Sequence, residues 1–178
     1  MAIARLRKMC SYLAGDDDPV GDASRLLPRL RDAAPAEGSV LLGFDFPFGS
    51  PAAYATIAGI TRFSHWLPML GRGDWTDFYR AAERSSEIGT FRPFYPQRPG
   101  GTSFSHLLGG LQAAARLDLL RMCERGTPSR GPASPLFWTM GAKQVGKAAI
   151  SGWRDVLTPG LRDHPDWIRL WPFDGLRR

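Results

Sequence analysis

The stretch Ser39-Val40-Leu41-Leu42-Gly43-Phe44-Asp45-Phe46 decides how the rest of the chain is read. It is a short, continuous apolar run closed by Pro47, Gly49 and Pro51, the pattern expected of a strand buried on both faces. Upstream, Asp22 or Ser24 is placed to cap a helix through about Ala34 that carries Leu26, Leu27 and Leu30, with Pro28 forcing a late start or a kink. Residues 1–14 repeat apolar positions at helical spacing before a breaker at 15–21. Downstream, 52–87 reads as helical and aromatic, 90–105 as a long loop, 107–124 as a helix, 126–135 as a loop and 136–140 as a brief strand. A helix follows from Lys147, and 167–173 alternates like a strand. Strands among several helices predict an α/β or α+β chain. The expected organisation is one domain over 1–178, with a helical segment at 1–38 ahead of 39–175.

The chain has 178 residues, of which 23 are Lys or Arg and 17 Asp or Glu, for a net charge of +6. Only Lys8, Lys143 and Lys147 are lysines. Either the base composition of the coding genome or a phosphate-bearing partner explains that preference for arginine. From Arg121 onward there are 10 basic and 5 acidic residues, which suits an anionic partner. No apolar run is long enough to span a bilayer, and no secretory leader is recognisable, so a cytoplasmic protein without a membrane partner is expected. Cys10 and Cys123 cannot build a disulfide scaffold, and His65, His106 and His164 lack the spacing of zinc ligands.

Several constellations bear on chemistry. Gly141-Ala142-Lys143-Gln144-Val145-Gly146-Lys147 matches the G-x-x-x-x-G-K part of a phosphate-binding loop, but Ala148 stands where a magnesium-ligating Ser or Thr belongs. A weaker expectation is a phosphate contact through Gly141, Lys143, Gln144, Gly146 and Lys147 at a helix start. Close packing of a glycine turn beneath a helix explains the same residues. Asp45 ends the apolar run, where a carboxylate is costly unless paired, metal-bound or open to a cleft; capping the turn at Phe48 and Gly49 is the structural alternative. Asp174 follows Leu170-Trp171-Pro172-Phe173 in the same way. Carboxylates at the ends of neighbouring strands would hold Mg2+ or Mn2+. Glu124, within Arg121-Met122-Cys123-Glu124-Arg125, reads either as a third acid or as a salt-bridged surface residue. Trp66, Trp75 and Phe78 read as core. Phe91, Phe94 and Tyr95, interleaved with Arg92 and Arg98, are candidates for nucleic-acid contact.

Three segments, 42–49, 137–152 and 170–174, together resemble an uncharacterised bacterial family of predicted nucleases with a ribonuclease H-like fold. The resemblance rests on Gly43-Phe44-Asp45-Phe46-Pro47-Phe48-Gly49, on the glycine-rich turn, and on Trp171-Pro172-Phe173-Asp174, in that order. It implies a sheet flanked by helices and two-metal phosphodiester hydrolysis, with Asp45, Asp174 and Glu124 as catalytic carboxylates and Asp45 and Asp174 as the metal ligands. The chain departs from the family pattern at both ends. It lacks an Asp-Trp-Ser strand near the start and stops at Arg178, so an incomplete sheet is expected. The alternatives are a non-catalytic phosphate or nucleotide binder using Gly141 to Lys147, or an inactive truncated remnant.

Overall fold

A computed structural model describes residues 21–36, 38–141 and 144–175, and the chain separates into two units, Met1–Phe44 and Asp45–Arg178. Among the described residues there are helices and turns but no β-strand, and the only ladder pairings are three isolated bridges, Gly89–Arg92, Tyr95–Trp138 and Thr127–Arg130. This overturns the α/β expectation and the ribonuclease H-like sheet with it. The run that decided that reading is irregular from 38 to 44, with Val40 and Leu41 exposed. A strand persists only where neighbouring strands receive its N–H and C=O groups, and the described residues supply no such neighbour.

In the first unit, a 3-10 turn (Ala23–Arg25) leads into α1 (Leu26–Ala33). The Asp22 carboxylate accepts from the Ser24 N–H at 2.9 Å and from its hydroxyl at 2.6 Å, the capping expected of this residue. Pro28 falls in the first turn of α1, where a missing N–H does little harm. The helix expected within 1–14 lies outside the described residues.

In the second unit, the long helical stretch expected over 52–87 is cut into short pieces. They are α2 (Ala52–Ile57), α3 (Phe63–Trp66) and 3-10 turns at Leu67–Met69, Gly73–Trp75 and Ser85–Glu87. Gly59, Gly71 and Gly73 take positive φ between and within these pieces, a conformation no helix interior contains. The helix expected over 107–124 is α4 (Phe104–Gly110), followed by 3-10 turns at Arg116–Leu119 and Met122–Glu124. Where brief strands were expected, 136–140 is a turn with the single Tyr95–Trp138 bridge, and 167–173 is a succession of turns.

Among the described residues the longest helical stretch begins with α5 (Val145–Gly152), widens into a π-helical turn (Trp153–Leu157) and continues as α6 (Thr158–Asp163). The widening falls just before Pro159. A proline inside a helix removes an N–H and crowds the carbonyl four residues back; here the Thr158 N–H reaches five residues back to Trp153 O, the π pattern. Gly146, Ala149, Trp153, Val156 and Gly160 are all buried, a spacing of three and four that marks one helical face.

The core that this face meets is aromatic. Trp153 is completely buried, with its ring centroid 5.3 Å from Phe63, 5.9 Å from Trp66 and 6.2 Å from Phe78. Trp75 and Phe94 pack on Phe78, and Phe137 joins Phe94 to Tyr54. Trp66, Trp75 and Phe78 are thus core residues, and so are Phe94 and Tyr95, which are buried and withdrawn from nucleic-acid contact. Arg92 bonds the carbonyls of Arg80 and Ala81, and Arg98 pairs with Glu83. Replacing Trp153 by Ala should lower unfolding stability by about 3–5 kcal/mol. Trp153→Phe should keep most of the packing and lose about 1–2 kcal/mol with its indole hydrogen bond; urea unfolding followed by circular dichroism measures both.

Candidate functional site

The turn at 45–49, which carries the first predicted acid, is fixed by contacts from three separate segments. The Phe46 ring lies so close to Gly152 that a Cβ there would stand 2.5 Å from it. The Trp153 indole N–H donates to Pro47 O at 2.7 Å. Phe173 covers Gly49, where a φ of +89° and the 2.8 Å at which a Cβ would stand from that ring both demand glycine. Arg121 donates to Phe48 O. The other two segments that carried the family resemblance, through Gly152 and Phe173, and the Arg121–Glu124 turn therefore meet the turn at 45–49.

Their carboxylates, however, face different partners. Asp45 is exposed, and no described residue hydrogen-bonds it. Glu124 is buried at 4% exposure; it accepts from the Arg121 backbone N–H at 2.8 Å and from the Arg121 guanidinium at 2.7 Å. It holds Arg121 against Phe48 O and so acts as a structural clamp, neither a free acid nor a surface ion pair. Among the described residues, no group of three or more His, Cys, Asp or Glu side chains is placed to hold a metal ion.

Asp174 is the acid that lines a cleft. It closes its own loop, accepting from the Leu170 N–H at 2.9 Å while its N–H donates to Leu170 O at 2.9 Å. Its other oxygen accepts from Ser64 Oγ at 2.5 Å and lies 3.5 Å from an Arg62 guanidinium nitrogen. Burial works to raise its pKa, but the hydrogen bonds from Ser64 and Leu170 and the charge of Arg62 outweigh it, so the carboxyl sits below its ordinary range. The cleft, about 520 Å³, is lined by Arg62, Ser64, His65, Arg169 and Asp174 over a floor of Pro68, Leu161, Pro165 and Ile168. That is within the usual range for small-ligand sites. Arg169 is exposed and braced by one guanidinium nitrogen, which donates to Pro165 O and Ile168 O at 2.9 Å each. Its Nε and Nη2 have no acceptor among the described residues. Among the described residues the lining thus carries two guanidiniums against one carboxylate that is already hydrogen-bonded.

The glycine turn has a different character. Gly141 and Gln144 take φ of +95° and +39°, and α5 starts at Val145. Gly146 is buried, and a Cβ there would stand 2.8 Å from Trp138 O and 2.9 Å from Leu136 O. The glycine lets the helix lie directly on the backbone at 136–138, which accounts for it as close packing. Lys147 is exposed; Lys143 lies outside the described residues.

Comparison with protein-family models, with curated proteins and with solved structures finds no match for this chain. The described residues include no helix long and apolar enough to cross a membrane.

Sequence reasoning found Asp174 but missed Arg62, Ser64, His65 and Arg169, its companions in the cleft. Arg62 to His65 sit more than a hundred residues away, inside a segment read as a helix, and no local motif marks them. Arg169 did carry a signal, since it stands on the outward side of the alternation over 167–171.

Two outcomes follow from this geometry. The stabilisation owed to Asp174 is complete above the ordinary carboxylate range and is lost as pH falls through its lowered pKa. Ser64→Ala should therefore shift acid unfolding to higher pH and remove about 1.5–3 kcal/mol at neutral pH, as pH-dependent denaturation would show. Gly146→Ala, meeting backbone on two sides, should destabilise by about 1–3 kcal/mol. Gly109→Ala, in α4 with open space around it, should be stabilising by up to about 1 kcal/mol; thermal melts compare the two.

Proposed function

We propose that this protein binds a phosphate-bearing anionic ligand in the cleft between α3 and the 165–174 segment. The observation that carries this reading is the charge balance of the lining: Arg62 and Arg169 face a space in which Asp174, the one carboxylate, is hydrogen-bonded by Ser64 and Leu170. Guanidinium groups present paired N–H donors that match phosphate oxygens, and the unused nitrogens of Arg169 are such donors. The second unit favours the same class of ligand, because its 17 basic and 11 acidic residues hold the whole net charge of the chain. The Gly141–Lys147 turn is the less favoured location for the phosphate, since Gly146 is accounted for by packing.

The test is binding of a labelled phosphodiester oligomer over a salt series. Affinity should fall steeply with salt, and the double variant Arg62→Ala/Arg169→Ala should reduce the slope of log K against log salt by about 1.4–1.8, as expected for two lost phosphate contacts. An unchanged slope removes the cleft as the site.

A second reading, metal-dependent phosphodiester hydrolysis, is favoured by one observation. Phe173 seated on Gly49 brings the turn bearing Asp45 beside the loop bearing Asp174. On that reading Asp45 and Asp174 would hold Mg2+ or Mn2+, and the ion would activate water. Purified protein should then degrade nucleic acid only with added divalent ion, and Asp45→Asn should abolish the activity. Degradation in excess chelator, or an unaffected variant, discards it.

A further inference from the structure

Three aromatic side chains within seven residues of the cleft-forming segment stand open to solvent: Trp167 at 40% exposure, Trp171 at 68% and Phe173 at 40%. Phe173 is accounted for by its seat on Gly49 and its contact with Phe63, with ring centroids 4.8 Å apart. The two indoles have no such burial. Trp167 is braced by the His164 ring, centroids 4.8 Å apart. Trp171 lies in the five-residue loop that the paired Leu170–Asp174 hydrogen bonds close. Leu170 is buried at 5% exposure, and Trp171 next to it is exposed. Between the indoles in sequence stand Ile168 and Arg169, both of the cleft lining.

We infer that this edge binds single-stranded nucleic acid, with bases stacking on Trp171 and Trp167 and the backbone phosphates meeting Arg169 and Arg62. The inference rests on the anion-binding reading of the cleft and deepens it by naming the ligand class. Exposed aromatic rings interleaved with guanidiniums are what an unpaired strand requires, because every base has a free π-face and every nucleotide a phosphate. A duplex hides its base faces and would use only the arginines. An acidic protein partner would likewise use the charge, but gains nothing particular from two exposed indoles on either side of an arginine in sequence.

The experiment is fluorescence anisotropy of the full chain with three labelled probes of equal length: oligothymidylate, an abasic deoxyribose-phosphate strand, and a duplex. Trp171→Ala should weaken oligothymidylate binding at least about fivefold and leave the abasic strand unchanged. Trp171→Phe should restore part of the loss, and oligothymidylate should quench tryptophan emission in the wild-type chain. The stacking inference is overturned if oligothymidylate binds no tighter than the abasic strand, or if Trp171→Ala has no effect. In either case abasic-strand binding that falls with Arg169→Ala keeps the cleft as an anion site. If none of the probes binds, both readings fall. If an acidic peptide of matching charge binds as tightly as oligothymidylate and loses affinity with Trp171→Ala, the edge is a protein interface and the inference is wrong.

Discussion

The second unit depends on Trp153. Its ring fills the centre of the aromatic cluster, and its N–H reaches out of that cluster to the carbonyl of Pro47. One residue thus does two jobs usually divided between a core side chain and a backbone ladder. It supplies apolar contact on the inside and satisfies an otherwise orphaned turn carbonyl at the edge. The position is set by the π-helical turn beginning at Trp153, which accommodates Pro159 further along. Gly152, immediately before it, gives Phe46 room to lie on the helix. Local helix geometry and the docking of a turn more than a hundred residues away are therefore one constraint.

A molecule with so little regular structure must satisfy its backbone by other means, and arginine supplies much of it. Guanidinium groups donate to the carbonyls of Phe48, Pro68, Leu70, Arg80, Ala81, Cys123 and Arg125. A forked, planar donor can serve two carbonyls at once, as Arg92, Arg130 and Arg162 do, whereas an ammonium is a compact point charge. The preference for arginine over lysine, which the sequence left open between genome composition and phosphate binding, thus has a structural component. Arg169 also serves two carbonyls, Pro165 and Ile168, but through one nitrogen, so that it and Arg62 line the cleft with donors to spare.

Burial was more legible in the sequence than backbone form. Over 167–171 the residues do alternate, with Leu170 buried and Ile168 half-buried against exposed Trp167, Arg169 and Trp171. The segment is nevertheless a set of turns, because alternation fixes which side chains are buried and not whether a neighbouring strand exists to pair with. The same limit misled the reading of 39–46. Trp66, Trp75 and Phe78 were correctly assigned to the core, while Phe94 and Tyr95, judged by their loop and their arginine neighbours, were not. A loop rich in proline and glycine can still lay its aromatics into a core when arginines and single bridges satisfy its backbone. The cleft was half legible: Asp174 stood out as a carboxylate after an apolar run, but Arg62 and Ser64 are joined to it only by tertiary contact.

Asp174 is the reason an anion is proposed for the cleft ahead of a metal. A carboxylate offers about four lone-pair positions. The hydrogen bonds from Ser64 and Leu170 occupy two, and Arg62 approaches a third. A divalent ion would find only the one remaining position, on the oxygen that accepts from the Leu170 N–H, and would meet the repulsion of the Arg62 and Arg169 guanidiniums that share the lining. An incoming phosphate meets the opposite field. Arg62 can turn from Asp174 toward the ligand without leaving the carboxylate bare, because Ser64 and the Leu170 N–H still satisfy it. Ser64 thereby makes the carboxylate tolerable beside two guanidiniums, and the loop that Asp174 closes carries the exposed Trp171 to which base stacking is assigned in the proposal.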